Sequence, residues 1–324
     1  MKLDIEFDTW PLHKPFITAG KAHTEITTVT AIVSEGWYRG RGEALGVDYL
    51  GETAESMAAA VRAAQSEIEA GVARTELRGL LPPGGARNAV DCALWDLAAK
   101  RAGCRAWQLL GVDVQPLTTI ITLSLASADA MAAEAVARSA YPVLKVKLDE
   151  HDTADKIRAI RAARPDADIV IDANGSWTYE LLDSLVDVLL ANRIDMVEQP
   201  LPVGKDEVLE GHLIPIDLCA DESCQSFADI EFAAECYSMI NIKLDKCGGL
   251  SEAMRMVDWC RQNAIHMMVG NMLGSSLAMA PAIIPAQSCR YVDLDGPLLQ
   301  ARDRDNSLNY HNAAMNVPDA KLWG

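Results

Sequence analysis

The chain has 324 residues, half of them hydrophobic, which is ample for a large core and long for a single one. Its formal net charge of −17 excludes the positive footprint that nucleic acid or an anionic membrane surface requires, so neither is expected as a partner. An anionic small substrate would need a locally basic pocket.

Eight cysteines form no Cys-x-x-Cys pair, and Cys92, Cys219, Cys236 and Cys260 sit in apolar segments, where cysteine behaves as a small hydrophobe. That pattern suits a reducing compartment. The N-terminus lacks an apolar signal core and no run of 18 apolar residues occurs, so a soluble cytoplasmic protein is expected.

In chain order, residues 2–8 alternate as a strand and residues 26–34 form a β-branched second one, joined by a polar loop carrying Gly20, Lys21 and His23. Residues 40–51 are glycine-rich and read as a second loop, with Glu43, Asp48 and Tyr49. Helices are expected over 52–71 and 86–101, the latter with Val90, Leu94, Leu97 and Ala98 at helical spacing. Residues 1–113 therefore read as an α+β domain, completed by residues 300–324, which have too few apolar positions for a further repeat.

From Pro116 the pattern becomes strict alternation of strand and helix. Strands are expected at 118–124, 143–148, 168–172, 195–198, 216–219, 239–243, 266–270 and 291–293, with helices such as 152–164, 178–192 and 251–263 between them. Eight short strands so arranged describe an α/β fold, a (β/α)-type barrel over 114–299.

The chemistry lies in the polar residues at the strand ends, which a barrel gathers at one mouth. Lys145 and Lys147 share one face of the second strand, and crowding of two cations is expected to lower their pKa and prepare a neutral base. The third strand ends in Asp172, the fourth in Glu198, the fifth leads to Asp221, the sixth ends in Lys243, and the eighth leads to Asp293 and Asp295. Three carboxylates without a histidine or cysteine suit a hard divalent cation such as Mg²⁺. With a lysine on each side, the set describes proton abstraction beside a carboxylate.

The motifs Lys145-Val146-Lys147, Asp172-Ala173-Asn174, Glu198-Gln199-Pro200, Ala220-Asp221-Glu222-Ser223, Asn241-Ile242-Lys243 with Gly248-Gly249, and Asp293-Leu294-Asp295-Gly296 run through nearly the whole barrel in order. They resemble the enolase superfamily, its muconate lactonizing enzyme subgroup, and within that the dipeptide epimerases. Arg87 to Leu97 also resembles the family's capping domain, and the resemblance implies a modified TIM barrel of (β/α)7β type with the α+β unit as its cap. The resemblance implies that Asp172, Glu198 and Asp221 bind Mg²⁺ and that Lys147 and Lys243 are the acid/base pair. Lys145 would assist Lys147 and touch the substrate carboxylate. Lys246, the rival to Lys243, falls in the turn beyond the strand and reads as a neutralising or solvated neighbour.

In the resembling epimerases the Asp-x-Asp pair holds the free α-ammonium of a dipeptide, which assigns that role to Asp293 and Asp295. The expected reaction is 1,1-proton transfer at the C-terminal residue of a dipeptide, L-Ala-D/L-Glu first, in murein peptide recycling. Relatives that act on Ala-Glu usually offer a basic group from the first hairpin loop, often arginine; this chain has no arginine there, leaving Lys21 or His23 to meet a glutamate carboxylate. Thr122 on the first barrel strand is a further substrate contact. The other readings are o-succinylbenzoate synthase, N-acylamino acid racemase, muconate cycloisomerase, or a non-catalytic binding protein on the same scaffold. Trp37, Trp177 and Trp259 are expected as packing residues and His266 as a core histidine, and Gly248-Gly249 as the shaper of a turn. A homo-oligomer is compatible with the helix surfaces.

Overall fold

The structure, a computed structural model, describes residues 1–18, 21–211 and 214–324, and for Ile17, Thr18 and Lys21 the backbone alone. Alternating residues build strand β1 (Lys2–Thr18), which pairs antiparallel with β2 (Lys21–Glu35), and β2 in turn with β3 (Tyr38–Ala44). The hairpin is thus longer than the two strands expected over 2–8 and 26–34. Pro11 and Pro15 conceal this, because proline cannot donate to a ladder, and the pairing slips between Pro11 and Phe16. Ala19 and Gly20 of the expected loop lie outside the described residues.

The stretch over 40–51 begins as β3, not as a loop. Its glycines answer to packing: a Cβ on Gly40 would stand 2.1 Å from the Ala93 carbonyl oxygen, and one on Gly42 2.2 Å from that of Ala89. The helix Gly85–Ala102 therefore lies directly on the sheet, and only glycine lets the backbones approach so closely. The helix expected over 52–71 is present as Ala54–Ala63 and Gln65–Ala70, opened by reciprocal hydrogen bonds between Thr53 and Ser56.

Beyond the cap, the first expected barrel strand divides. Leu117–Thr118 (β4) belongs to a small antiparallel sheet with the C-terminal hairpin, and Ile121–Leu123 (β5) enters the barrel. The barrel continues through β6 (Val143–Lys147), β7 (Asp168–Asp172), β8 (Ile194–Glu198), β9 (Asp217–Ala220), β10 (Met239–Ile242), β11 (His266–Val269) and β12 (Tyr291–Val292), parallel and in chain order. The Ile120 N–H donates to the Val292 carbonyl at 2.8 Å and joins the two ends of the sheet. The C-terminal hairpin is β13 (Tyr310–His311) with β14 (Ala314–Met315).

Period-two alternation layers the barrel interior. Ile120, Val170, Met196, Cys219, Met239, Met268 and Tyr291 form one apolar layer. Two residues further along the same strands come Thr122, Asp172, Glu198, Asp221, Asn241, Gly270 and Asp293, so the polar layer sits on an apolar floor. Outward-facing residues of the strands, such as Leu144, Ile171 and Val197, pack under the helices in the main core.

The chain end packs against the cap helix Gly85–Ala102: Trp323 Nε1 donates to the Cys92 carbonyl at 3.1 Å, and the Gly324 N–H to Asp96 at 2.7 Å. Two minor expectations fail. Trp37, in the turn between β2 and β3, is 99% exposed, and His266 is exposed at the outset of β11, on the end of the barrel away from the polar layer. His266 opens β11, and strand pattern alone does not distinguish an exposed opening residue from a buried one such as Met239 of β10. Trp177 is fully buried, with Nε1 donating to the Asp149 carbonyl at 3.0 Å, and Trp259 is half-buried. All eight cysteines are free. No helix among the described residues is long and apolar enough to cross a membrane.

Candidate active site

The polar layer converges on a cavity of about 660 Å³ between barrel mouth and cap. Lys145 is buried at its centre, with Nζ 3.0 Å from Asp172, 2.8 Å from Glu198 and 3.0 Å from Asp293. Lys147 Nζ lies 2.6 Å from Asp172 and 2.8 Å from Asn174 Oδ1. Across the barrel, Lys243 Nζ lies 2.6 Å from Asp221 Oδ2 and Lys246 Nζ 2.7 Å from its Oδ1. Strands β6 and β10 stand four apart among eight, so Lys147 and Lys243 face one another over half the circumference, with Asp172, Glu198 and Asp221 on the strands between.

Asp295 accepts the Thr122 N–H at 2.9 Å, which places Asp293, Asp295 and Thr122 together at the seam of the barrel. His23 lines the cap wall of the cavity, and the Lys21 side chain lies outside the described residues. Among the described cap residues on that wall, His23 alone can carry positive charge; Glu25, Asp48 and Glu52 are acidic.

For Lys145 the expected lowering of pKa by crowding is reversed. Burial lowers Lys145, but Asp172, Glu198 and Asp293 outweigh it and hold its pKa well above the ordinary value. Lys243 is raised too, burial again being outweighed, here by Asp221. Carboxylates outnumber ammonium groups: Asp172, Glu198, Asp221, Glu222, Asp293 and Asp295 face Lys145, Lys147, Lys243 and Lys246. The excess shows in how the acids divide. Asp172 is held at about 2 because Lys145 and Lys147 overcome its burial, and Asp221 is driven below the usual range by Lys243 and Lys246 against burial. Glu198, by burial and the nearby Asp172, is pushed up to about 8.

That imbalance tests whether the donor set fits a divalent cation. Six acids against four ammonium groups leave an excess of two acids, and Glu198 Oε2, 2.8 Å from Lys145, still has no hydrogen-bond partner. Oxygen donors of this kind fit Mg²⁺. As the side chains stand, no three acidic, histidine or cysteine groups among the described residues converge as a finished ligand set, since lysines lie against the same oxygens.

Several contributors went unassigned in the sequence. Asn241 shares its strand face with Lys243 and donates to Glu198 Oε1 at 2.7 Å; its position two residues before the lysine was the available signal. Asn174 bridges Lys147 and Glu222, donating to Glu222 at 3.0 Å. Gln199, held at φ +38°, accepts the N–H groups of Asp221 and Ser223, both at 3.0 Å. Lys246 is buried against Asp221, which is the neutralising and not the solvated of its two expected roles. Gly248 and Gly249 turn the chain where Arg87 and Asp91 of the cap leave no room for a side chain: a Cβ would come within 2.2 Å of Arg87 and 2.6 Å of Asp91.

A (β/α)7β barrel under an α+β cap is the enolase-like fold, and the chain is a member of the enolase superfamily. The chain belongs to the mandelate racemase/muconate lactonizing enzyme family within it: residues 2–111 match the mandelate racemase/muconate lactonizing enzyme N-terminal domain, and residues 127–321 the enolase C-terminal domain-like family. The L-Ala-D/L-Glu epimerase of Escherichia coli (strain K12) is 36% identical over 313 residues, 96% of this chain and 98% of that one. An N-acetyl-D-glutamate racemase of Pseudoalteromonas sp is 41% identical over 250 residues, 77% and 79% of the two chains. Among solved structures, an enolase family member from Agrobacterium tumefaciens with homology to dipeptide epimerases, with bound sodium and L-Ala-L-Glu, superposes with a TM-score of 0.95 at 40% identity over 99% of both chains.

Proposed function

We propose that this protein is a Mg²⁺-dependent dipeptide epimerase, an isomerase that inverts the α-carbon of the C-terminal residue, with L-Ala-D/L-Glu as the leading substrate. The observation that carries the reading is the placement of Lys147 and Lys243 on opposite sides of the carboxylate triad. Asp172, Glu198 and Asp221 would hold the cation. Mg²⁺, when bound, supplies positive charge against the substrate carboxylate as negative charge builds up on it.

The lysines do the proton chemistry. One, neutral, takes the α-proton from its face; the other, charged, returns a proton to the opposite face, and the reverse reaction exchanges the roles. Lys145 orients the substrate carboxylate, and Asp293 and Asp295 receive the α-ammonium of the dipeptide. His23 and Lys21 are the cap groups for an acidic side chain. Residues 1–113 with 300–324 form the cap and 114–299 the catalytic barrel. A cytoplasmic role in recycling murein peptides follows from the substrate.

A second reading, racemisation of an N-acylated amino acid, is favoured by the similarity to the Pseudoalteromonas protein. The two part on the ammonium group, which only a dipeptide offers to Asp293 and Asp295. Incubation with Mg²⁺ in D₂O separates them: deuterium at the C-terminal α-carbon of L-Ala-L-Glu with inversion is the expected result. Exchange only on N-acetylglutamate would establish the second reading.

A further inference from the structure

Asp245 follows Lys243 by two residues, in the short helix Leu244–Cys247 that closes the catalytic strand. Its carboxylate is buried, yet it makes no ion pair among the described residues; it is satisfied by amides. Oδ1 accepts the Leu45 N–H at 3.0 Å and the Gly46 N–H at 2.9 Å. A carboxylate buried without a cation is costly, and main-chain amides aimed at it are what make the site tenable.

The amides belong to the cap segment that walls the cavity. Leu45, Gly46, Asp48 and Tyr49 all line it. Gly46 sits at φ +84°, where a Cβ would meet Met57 Sδ at 2.8 Å, so the turn admits no side chain there. Further along, Glu52 accepts the Val47 N–H at 2.8 Å and holds the segment to the cap itself. Tyr49 OH reaches Gln225 of the barrel, which donates to it at 2.9 Å. Asp245 is thus the barrel's hold on the root of the wall, and it lies in the helix that Lys243 caps.

We infer that Asp245 is a positioning residue that couples the cap wall at 45–50 to the end of the Lys243 strand and so sets how closely that wall meets the substrate. The inference rests on the proposed dipeptide reaction, because the wall faces the substrate of that reaction. Asp245 itself touches neither the cation ligands nor the reacting carbon, so its loss acts on substrate capture before chemistry.

The test compares Asp245→Ala with Asp245→Asn, which keeps the accepting Oδ1. Steady-state kinetics with L-Ala-L-Glu, Mg²⁺ titration by calorimetry and hydrogen exchange of the peptide covering 44–50 are read for each. Expected for Asp245→Ala are a KM raised at least tenfold, kcat within about threefold, unchanged Mg²⁺ affinity and at least tenfold faster exchange over 44–50, with Asp245→Asn restoring KM and exchange to within threefold. Unchanged KM and exchange in the alanine variant, or an asparagine variant as impaired as alanine, overturns the inference. Should alanine not fold, Asp245→Ser gives the same comparison. Exchange needs no substrate, so failure of the dipeptide reading, which would leave wild-type protein without turnover, is distinguishable from failure of this one.

Discussion

Lys147 and Lys243 lie at the ends of strands four apart in an eight-stranded barrel, each 2.6 Å from a different carboxylate, Asp172 for one and Asp221 for the other. A carbon held between them has a proton carrier on each face. Replacing either lysine by methionine should cut epimerisation by roughly 10²–10⁴-fold, the usual contribution of a positioned acid or base. Each single variant should keep α-proton exchange into D₂O for one configuration and lose it for the other. Mass spectrometry on separate L,L and L,D substrates reads this, and equal loss of both exchanges would refute the two-base assignment.

The charge imbalance at the mouth makes the fold responsive to cation. A ligand at 100 times its dissociation constant stabilises a protein by about 2.7 kcal/mol, so saturating Mg²⁺ should raise Tm by roughly 5 °C. Asp221→Asn and Glu198→Gln should abolish that rise. Calorimetric scans with Mg²⁺ and with chelator check it, and a rise of equal size in the variants would place the cation elsewhere.

Asp295 is pushed up to about 7 by burial and by the neighbouring Asp293. Below that pH it is protonated and attracts the substrate ammonium less, so KM for L-Ala-L-Glu should climb as pH falls from 8 to 6. Asp295→Asn should flatten this climb and raise KM at pH 8. For stability the sign is opposite. The folded state keeps a proton that the unfolded chain releases near 4, so this group's contribution is full below about pH 4 and is lost as pH rises through 7. A KM profile unchanged in the asparagine variant would remove Asp295 from ammonium binding.

Gly270 stands two residues after Met268, just past the end of β11, and a Cβ there would stand 2.7 Å from Asn241 Oδ1 and 3.0 Å from Lys243 Cε. Gly270→Ala should therefore displace the lysine and loosen the Asn241 contact with Glu198. A shift near 1 Å at a catalytic group costs up to about 10²-fold in kcat. Overpacking should also lower stability by about 1–3 kcal/mol. Kinetics and urea unfolding measure both, and wild-type kcat in a folded variant would show that Lys243 has room to spare.

Much of the site was legible because it obeys a local rule. Residues two apart on a strand share a face, so Lys145 with Lys147, and Asn241 with Lys243, could be paired from the chain alone, and the bounds 168–172 of the third barrel strand agree with β7. The helix over 86–101 was equally plain, its apolar spacing ending at Gly103, which takes φ +66°. What escaped depended on partners far along the chain. Gly40 and Gly42 look like loop residues until a helix some fifty positions later is laid on them, and whether Lys246 neutralises a neighbour or meets solvent stays open until Asp221 closes over its ammonium.

The protonation of the site belongs to that second kind. By itself the sequence determined which side chains reach the barrel mouth, since alternation and strand order are properties of neighbours in the chain. Only the tertiary structure decided how many carboxylates surround each lysine, and hence that Lys145 and Lys243 are raised and not lowered. It also decided that the cap wall at Leu45 and Gly46 hangs from Asp245, some 200 residues away. Burial and Coulomb energy depend on what the folded chain brings within a few ångströms, and no spacing along the sequence encodes that distance.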